Sequence, residues 1–272
     1  MAWIDRLFRP RDIWVVLAGI VLVQVLSVAL INRFMFHPVT GGYSEKSFGY
    51  VDIGENDDRI AAFVLGPHHG KSAIIYCHGN AEDVTSAKYR FAKLASDGYT
   101  VAAVDYPGDG LSSGTPTESG CYRVAHRLYD WLRRERGFAS DEIFVIGYSI
   151  GTGIAVELAS SKTVAGLWLE APYLSAPRIV TRMRLLYVDS FPCHSRIAKI
   201  NCPVVIVHGT KDRVIPFSQG RALYDLAKDP KILLPIPGAG HADFAEVYGM
   251  VGYLGLLREF LSDGKSFCEM WR

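Results

Sequence analysis

The chain has 272 residues, with 29 Lys and Arg against 28 Asp and Glu and a formal net charge of +1. That length suits one α/β domain plus an appendage, and it buries a core without disulfide or metal staples. The balanced charge lacks the clustered basic excess of a nucleic-acid footprint. Five cysteines with no CxxC pair argue against a disulfide scaffold, a zinc site and a thioredoxin-like motif.

The first feature in chain order is the run Ile13 to Ile31, apolar except for Gln24 and Ser27. It is long enough to cross a hydrocarbon core as a helix. Arg6, Arg9 and Arg11 precede it, Arg33 follows it, and Trp3 and Trp14 stand at its start. The expectation is a membrane anchor over residues 1–33, with the basic N-terminus cytoplasmic and residues 34–272 as a catalytic domain on the extracytoplasmic side. Ser27 and Ala29 leave cleavage of a signal, and hence secretion, as the alternative.

Two short β-rich runs follow, Ser47 to Ile53 and Ile60 to Leu65, with the turn formers Asn56, Asp57 and Asp58 between them. A rhythm then begins. Apolar runs at Ser72 to Cys77, Thr100 to Val104, Ile143 to Ile146, Val164 to Leu169, Val204 to Val207 and Ile232 to Ile236 read as strands. Helix-like stretches lie between most of them: Val84 to Ala95, Gly120 to Arg134, Gly151 to Ser160 and Ser218 to Ala227. A last one, Ala242 to Leu261, follows the final strand. Apolar strands alternating with helices predict a mostly parallel sheet covered on both faces, preceded by an antiparallel hairpin. Ligands of such sheets bind beyond the carboxyl ends of the strands, so the residues after each strand carry the information.

After Ile143 to Ile146 comes Gly147-Tyr148-Ser149-Ile150-Gly151, a GxSxG pattern between a strand and a helix. That setting is a nucleophile elbow, a sharp turn that lifts a serine Oγ above the sheet. The strand ending at His208 leads into Gly209-Thr210-Lys211-Asp212, and the last strand leads into Gly238-Ala239-Gly240-His241. The order serine, acid, histidine selects Ser149 as nucleophile, Asp212 as orienting acid and His241 as base. Glu170, directly after its own strand, is a rival acid that fits the same order; the later loop favours Asp212. A neutral serine needs a base to take its proton, imidazole can do so, and a carboxylate fixes the ring tautomer. Tyr76-Cys77-His78-Gly79-Asn80 closes the first long parallel strand. The backbone N–H groups of Asn80 and Ile150 are the expected oxyanion-hole donors. His78 and His208 end strands and read as structural or loop-orienting, and Cys77 reads as an inert core thiol. Cys193 and Cys202 are close enough in sequence for a small disulfide loop.

These residues resemble the α/β-hydrolase superfamily, and within it the membrane-anchored Bem46-like branch, from about Phe34 to the C-terminus. The resemblance rests on Phe36-His37-Pro38, His78-Gly79-Asn80-Ala81, the Asp105-to-Gly114 loop, the elbow, Cys202-Pro203 leading into Asp212, and Gly240-His241. It implies an α/β-hydrolase fold and hydrolysis of esters or thioesters with no metal or organic cofactor. Pro107 and Asp109 stand where relatives often carry Arg and Tyr. The expected substrate is an amphiphilic acyl compound. A serine peptidase on the same fold and a non-catalytic membrane-tethered binding module are the alternatives. The segment Ala171 to Ile200 is short for a lid; its apolar residues, among them Tyr173, Met183, Leu186 and Phe191, suit either a rim over the site or packing onto the sheet.

Overall fold

The β-rich runs of the sequence form one eight-stranded sheet in a computed structural model that describes residues 14–23, 42–80, 82, 84–85, 88–181 and 189–271. The strands are β1 (Tyr50–Asp52), β2 (Ala61–Leu65), β3 (Ala73–Cys77), β4 (Thr100–Val104), β5 (Ile143–Tyr148), β6 (Gly166–Glu170), β7 (Val204–Gly209) and β8 (Lys231–Ile236). Their spatial order is β1-β2-β4-β3-β5-β6-β7-β8. β1 and β2 form the expected antiparallel hairpin, turned at Asn56, whose φ is +55°. β2 also runs antiparallel to β4, and every pairing from β4 to β8 is parallel.

Strand residues in the middle of the sheet are buried on both faces, which is why the sequence shows continuous apolar runs rather than alternation. Ile75 and Val145 point into one core, with Leu128 of α3 (Glu118–Glu135) and Ile154 of α4 (Gly151–Ser161). Ile74 and Ile146 point into the other, with Phe91 of α2 (Lys88–Ser96), Phe260 of α9 (Met250–Ser262) and Phe267 of α10 (Gly264–Met270). α3 starts where Thr117 caps it, its side chain accepting the Gly120 N–H at 3.0 Å.

Two sequence expectations change. The stretch Ala242 to Leu261 is two helices, α8 (Phe244–Tyr248) and α9, because Gly249 takes φ +93° between them. α2 starts at Lys88 rather than Val84. Cys193 and Cys202 carry no disulfide. In the segment after β6, Tyr173 and Phe191 are buried in the core rather than exposed on a rim, and the Tyr173 hydroxyl donates to the Ile150 carbonyl at 3.1 Å. Met183 and Leu186 lie outside the described residues. Cys77 is buried as expected, and burial, with a smaller contribution from Glu157, pushes its thiol up to about 12.

The expected anchor over residues 1–33 falls mostly outside the described residues. Its described part, α1 (14–23), is a helix exposed along its length. No helix among the described residues is long and apolar enough to cross a membrane.

The elbow requires one close approach. A Cβ on Gly151 would overlap the backbone carbonyl oxygens of Cys77 and His78 at the end of β3. Neither oxygen can swing away as a side chain could. Gly151→Ala is therefore expected to destabilise the fold by about 3 kcal/mol or more, read as a lower urea midpoint at unchanged slope.

Candidate active site

β3, β5, β7 and β8 end at the same edge of the sheet, so the loops after them meet. Cys77 is in register with Gly147, and Gly209 with Ile236. This topology brings three side chains that are distant in sequence into one hydrogen-bonded line. His241 Nδ1 lies 2.8 Å from Asp212 Oδ2, and His241 Nε2 lies 3.0 Å from Ser149 Oγ. An ionised carboxylate only accepts, so Nδ1 carries the ring proton and Nε2 accepts from the serine hydroxyl. That is the tautomer in which imidazole can take the serine proton.

Ser149 sits at φ +52° on the turn between β5 and α4. A non-glycine residue there is strained and is kept only where the surroundings hold it. Its N–H donates to the Glu170 carbonyl at 3.0 Å. Its carbonyl accepts from the Thr152 hydroxyl at 2.7 Å and from the Thr152 N–H at 3.0 Å. With that carbonyl engaged by the first turn of α4, the trans peptide directs the Ile150 N–H the opposite way, out of the helix. Asn80, the other expected donor, lies exposed in the turn after β3. Glu82, which the sequence reading did not single out, accepts the Gly79 N–H at 2.8 Å and braces that turn. Its signal was the spacing of a carboxylate three residues after the turn glycine.

Asp212 is held on both oxygens. Oδ1 accepts the N–H groups of Val214 and Ile215, each at 2.8 Å, and Oδ2 faces His241 and, at 3.4 Å, His208 Nε2. Burial by itself would raise its pKa, but the hydrogen bonds from His208, His241 and the Ile215 backbone hold it below the usual carboxylate range. A depressed folded-state value adds stability that is complete above the unfolded-state pKa of about 3.9 and is lost as pH falls below it. Lowering the pH from 6 to 3 should thus cost the wild type more urea stability than it costs Asp212→Asn.

Glu170, the rival acid, has other partners. Arg90 Nη1 donates to its two oxygens at 2.9 and 3.0 Å, the Tyr253 hydroxyl at 2.6 Å and Trp168 Nε1 at 3.1 Å. It anchors α2 and α9 to the end of β6. Asp105 does similar work for the loop after β4. It is fully buried, accepts the Val84 N–H at 2.9 Å and also accepts from the Tyr43 hydroxyl. The Asp105 loop thus keeps its structural role with Pro107 and Asp109 in place.

A cavity of about 310 Å³ opens beside these residues, walled by Tyr148, Phe244, Ala242 and Met250, with Glu82 and Arg90 among its polar groups. The Tyr148 ring stands 5.5 Å from the His241 imidazole. That volume is within the range of small-molecule sites. A second cavity, of about 270 Å³, is lined by Ser160, Lys162, Lys199 and Asn201, before the starts of β6 and β7. It lies at the opposite edge of the sheet. Ser149, Asp212 and His241 line neither cavity; the first adjoins the site through Tyr148 and Ala242, the chain neighbours of Ser149 and His241. Among the described residues no group of His, Cys, Asp and Glu is arranged to hold a metal ion.

Known proteins of the same architecture carry the comparison further. A family model described as alpha/beta hydrolase fold matches residues 72–191. The Pyrococcus furiosus esterase Pf2001 superposes with a TM-score of 0.67 at 19% identity, covering 84% of this chain and 95% of that one. A monoacylglycerol lipase from Paleococcus ferrophilus gives 0.60 at 18% identity, covering 75% and 98%. At such identities the likeness shows the fold. Sequence relatives are nearer: human alpha/beta hydrolase domain-containing protein 17B is 36% identical over 209 residues, 75% of this chain and 72% of its own. Mouse protein 17C is 33% identical over 231 residues, 81% of this chain and 70% of its own. With this sheet order and this level of identity across three quarters of its length, the chain belongs to the alpha/beta hydrolase domain-containing protein 17 family of α/β-hydrolase-fold proteins.

Proposed function

We propose that the chain is a serine hydrolase that cleaves carboxylic esters or thioesters of an amphiphilic acyl substrate. The single observation that carries this reading is the line Ser149–His241–Asp212, with contacts of 3.0 and 2.8 Å at the end of the sheet. Ser149 Oγ attacks the acyl carbon while His241 Nε2 takes the hydroxyl proton. The carbonyl oxygen becomes an oxyanion, bound by the N–H groups of Ile150 and Asn80. As the tetrahedral species collapses, the imidazolium returns its proton to the departing alkoxide or thiolate, leaving an acyl-Ser149 ester. Water, deprotonated by the same imidazole, then releases the acid and restores the serine. Asp212 stays ionised throughout and stabilises the imidazolium. No step requires a metal or an organic cofactor.

The amphiphilic substrate class is supported by the cavity beside the triad, where the apolar Tyr148, Phe244 and Met250 stand among the charged Glu82, Arg90, Glu170 and Glu246. It is supported also by the apolar run from Ile13 to Ile31, which is proposed to tether residues 34–272 to a membrane on the extracytoplasmic side. The test is to incubate the full chain, in detergent micelles, with oxyesters and thioesters of increasing acyl length. Hydrolysis with a preference for longer chains is expected. A folded protein that turns over none of them, and that a fluorophosphonate fails to label, would favour a non-catalytic binding module instead.

A further inference from the structure

A second histidine reaches the acid from below. His208 ends β7 and is fully buried. Its Nε2 lies 2.9 Å from the Ile215 carbonyl oxygen and 3.4 Å from Asp212 Oδ2. Both neighbours are acceptors, so Nε2 must carry the ring proton and share it between them. Nδ1 is then a bare lone pair, and it has no hydrogen-bond partner. Gly220 of α7 (Phe217–Leu226) lies so close to Nδ1 that a Cβ there would overlap it, and Phe217 packs edge-on with centroids 5.7 Å apart. A buried polar nitrogen left without a partner is costly, and such a group needs a reason. The reason here is on the other side of the ring.

We infer that His208 is a positioning residue for the catalytic acid: its Nε2–H spans the Asp212 carboxylate and the Ile215 carbonyl, fixing the loop and sharing Oδ2 with His241. The inference rests on the proposed role of Asp212. Its consequence is directional. A donor on Oδ2 withdraws charge from the oxygen that faces His241, so removing it leaves a more basic carboxylate and a better stabilised imidazolium. Among the described residues, the Tyr148 phenol of β5 also interacts with this carboxylate. The backbone N–H groups of Val214 and Ile215 hold Oδ1 and are unaffected by the change.

The test compares His208→Leu with His208→Gln, whose amide keeps a donor near the position of Nε2. Rates are expressed per active site, titrated with a fluorophosphonate, so that loss of folded protein does not count. His208→Leu is expected to lower kcat about 3–10-fold and to move the acid limb of the kcat/KM profile up by about half a unit. His208→Gln should recover most of both. In an Asp212→Asn background, His208→Leu should have little further effect. A ¹⁵N spectrum of the wild type should place the His208 proton on Nε2, a reading that needs no variant to fold. An unshifted acid limb, equal losses in Leu and Gln, additive losses with Asp212→Asn, or a proton on Nδ1 would each overturn the inference. If Asp212→Asn by itself leaves kcat unchanged, the proposed function has failed instead, and the two failures are told apart.

Discussion

Ser149→Ala is expected to abolish fluorophosphonate labelling and to lower kcat for acyl-ester hydrolysis about 10⁴–10⁶-fold. The backbone at this position, φ +52°, is as strained for alanine as for serine. The turn is held by the Glu170 carbonyl and by Thr152, which the change leaves intact. Thermal stability should therefore stay close to that of the wild type, and the loss should lie in chemistry alone. Residual turnover near the wild-type rate would mean that the nucleophile lies elsewhere.

The second large effect separates the two buried carboxylates at the ends of neighbouring strands. Asp212→Asn keeps an oxygen for Val214 and Ile215 but offers His241 the wrong partner, and kcat should fall about 10⁴-fold. Glu170→Gln should do the reverse. The Arg90 guanidinium, with its side chain 16% exposed beside a carboxylate that is 2% exposed, would keep its charge and lose its counter-ion. Breaking such a pair costs about 3–5 kcal/mol, so the urea midpoint should fall while kcat of the folded fraction stays within a few-fold. Measuring kcat and the urea midpoint on both variants decides which carboxylate serves the histidine. If Glu170→Gln removed activity from stable protein, the assignment of Asp212 would be wrong.

The contrast between these two residues also shows what a sequence reader can see. Ser149, Asp212 and His241 each follow an apolar strand, and their order along the chain matches the fold they serve. Such information is local plus ordinal, so it was legible. Glu170 follows its strand in the same way, yet its partners Arg90 and Tyr253 lie 80 and 83 residues away. No local pattern distinguishes an ion-paired structural carboxylate from a catalytic one. Gly249 was legible in kind but not in effect: the apolar period of Ala242 to Leu261 runs through it. Only the backbone angle there splits the stretch into α8 and α9.

By itself the sequence determined the strand-and-helix alternation, the elbow and the order in which Ser149, a carboxylate and His241 follow their strands, because strand burial and turn chemistry act over a few residues. The tertiary structure decided which carboxylate meets His241, that Tyr173 and Phe191 pack into the core, and that His208 leans on Asp212. Those outcomes depend on strand order. β7 lies between β6 and β8, which brings Asp212 and His241 to neighbouring loops at one edge of the sheet. Pairings between residues tens of positions apart are chosen by packing over the whole sheet, and no stretch of sequence encodes them alone.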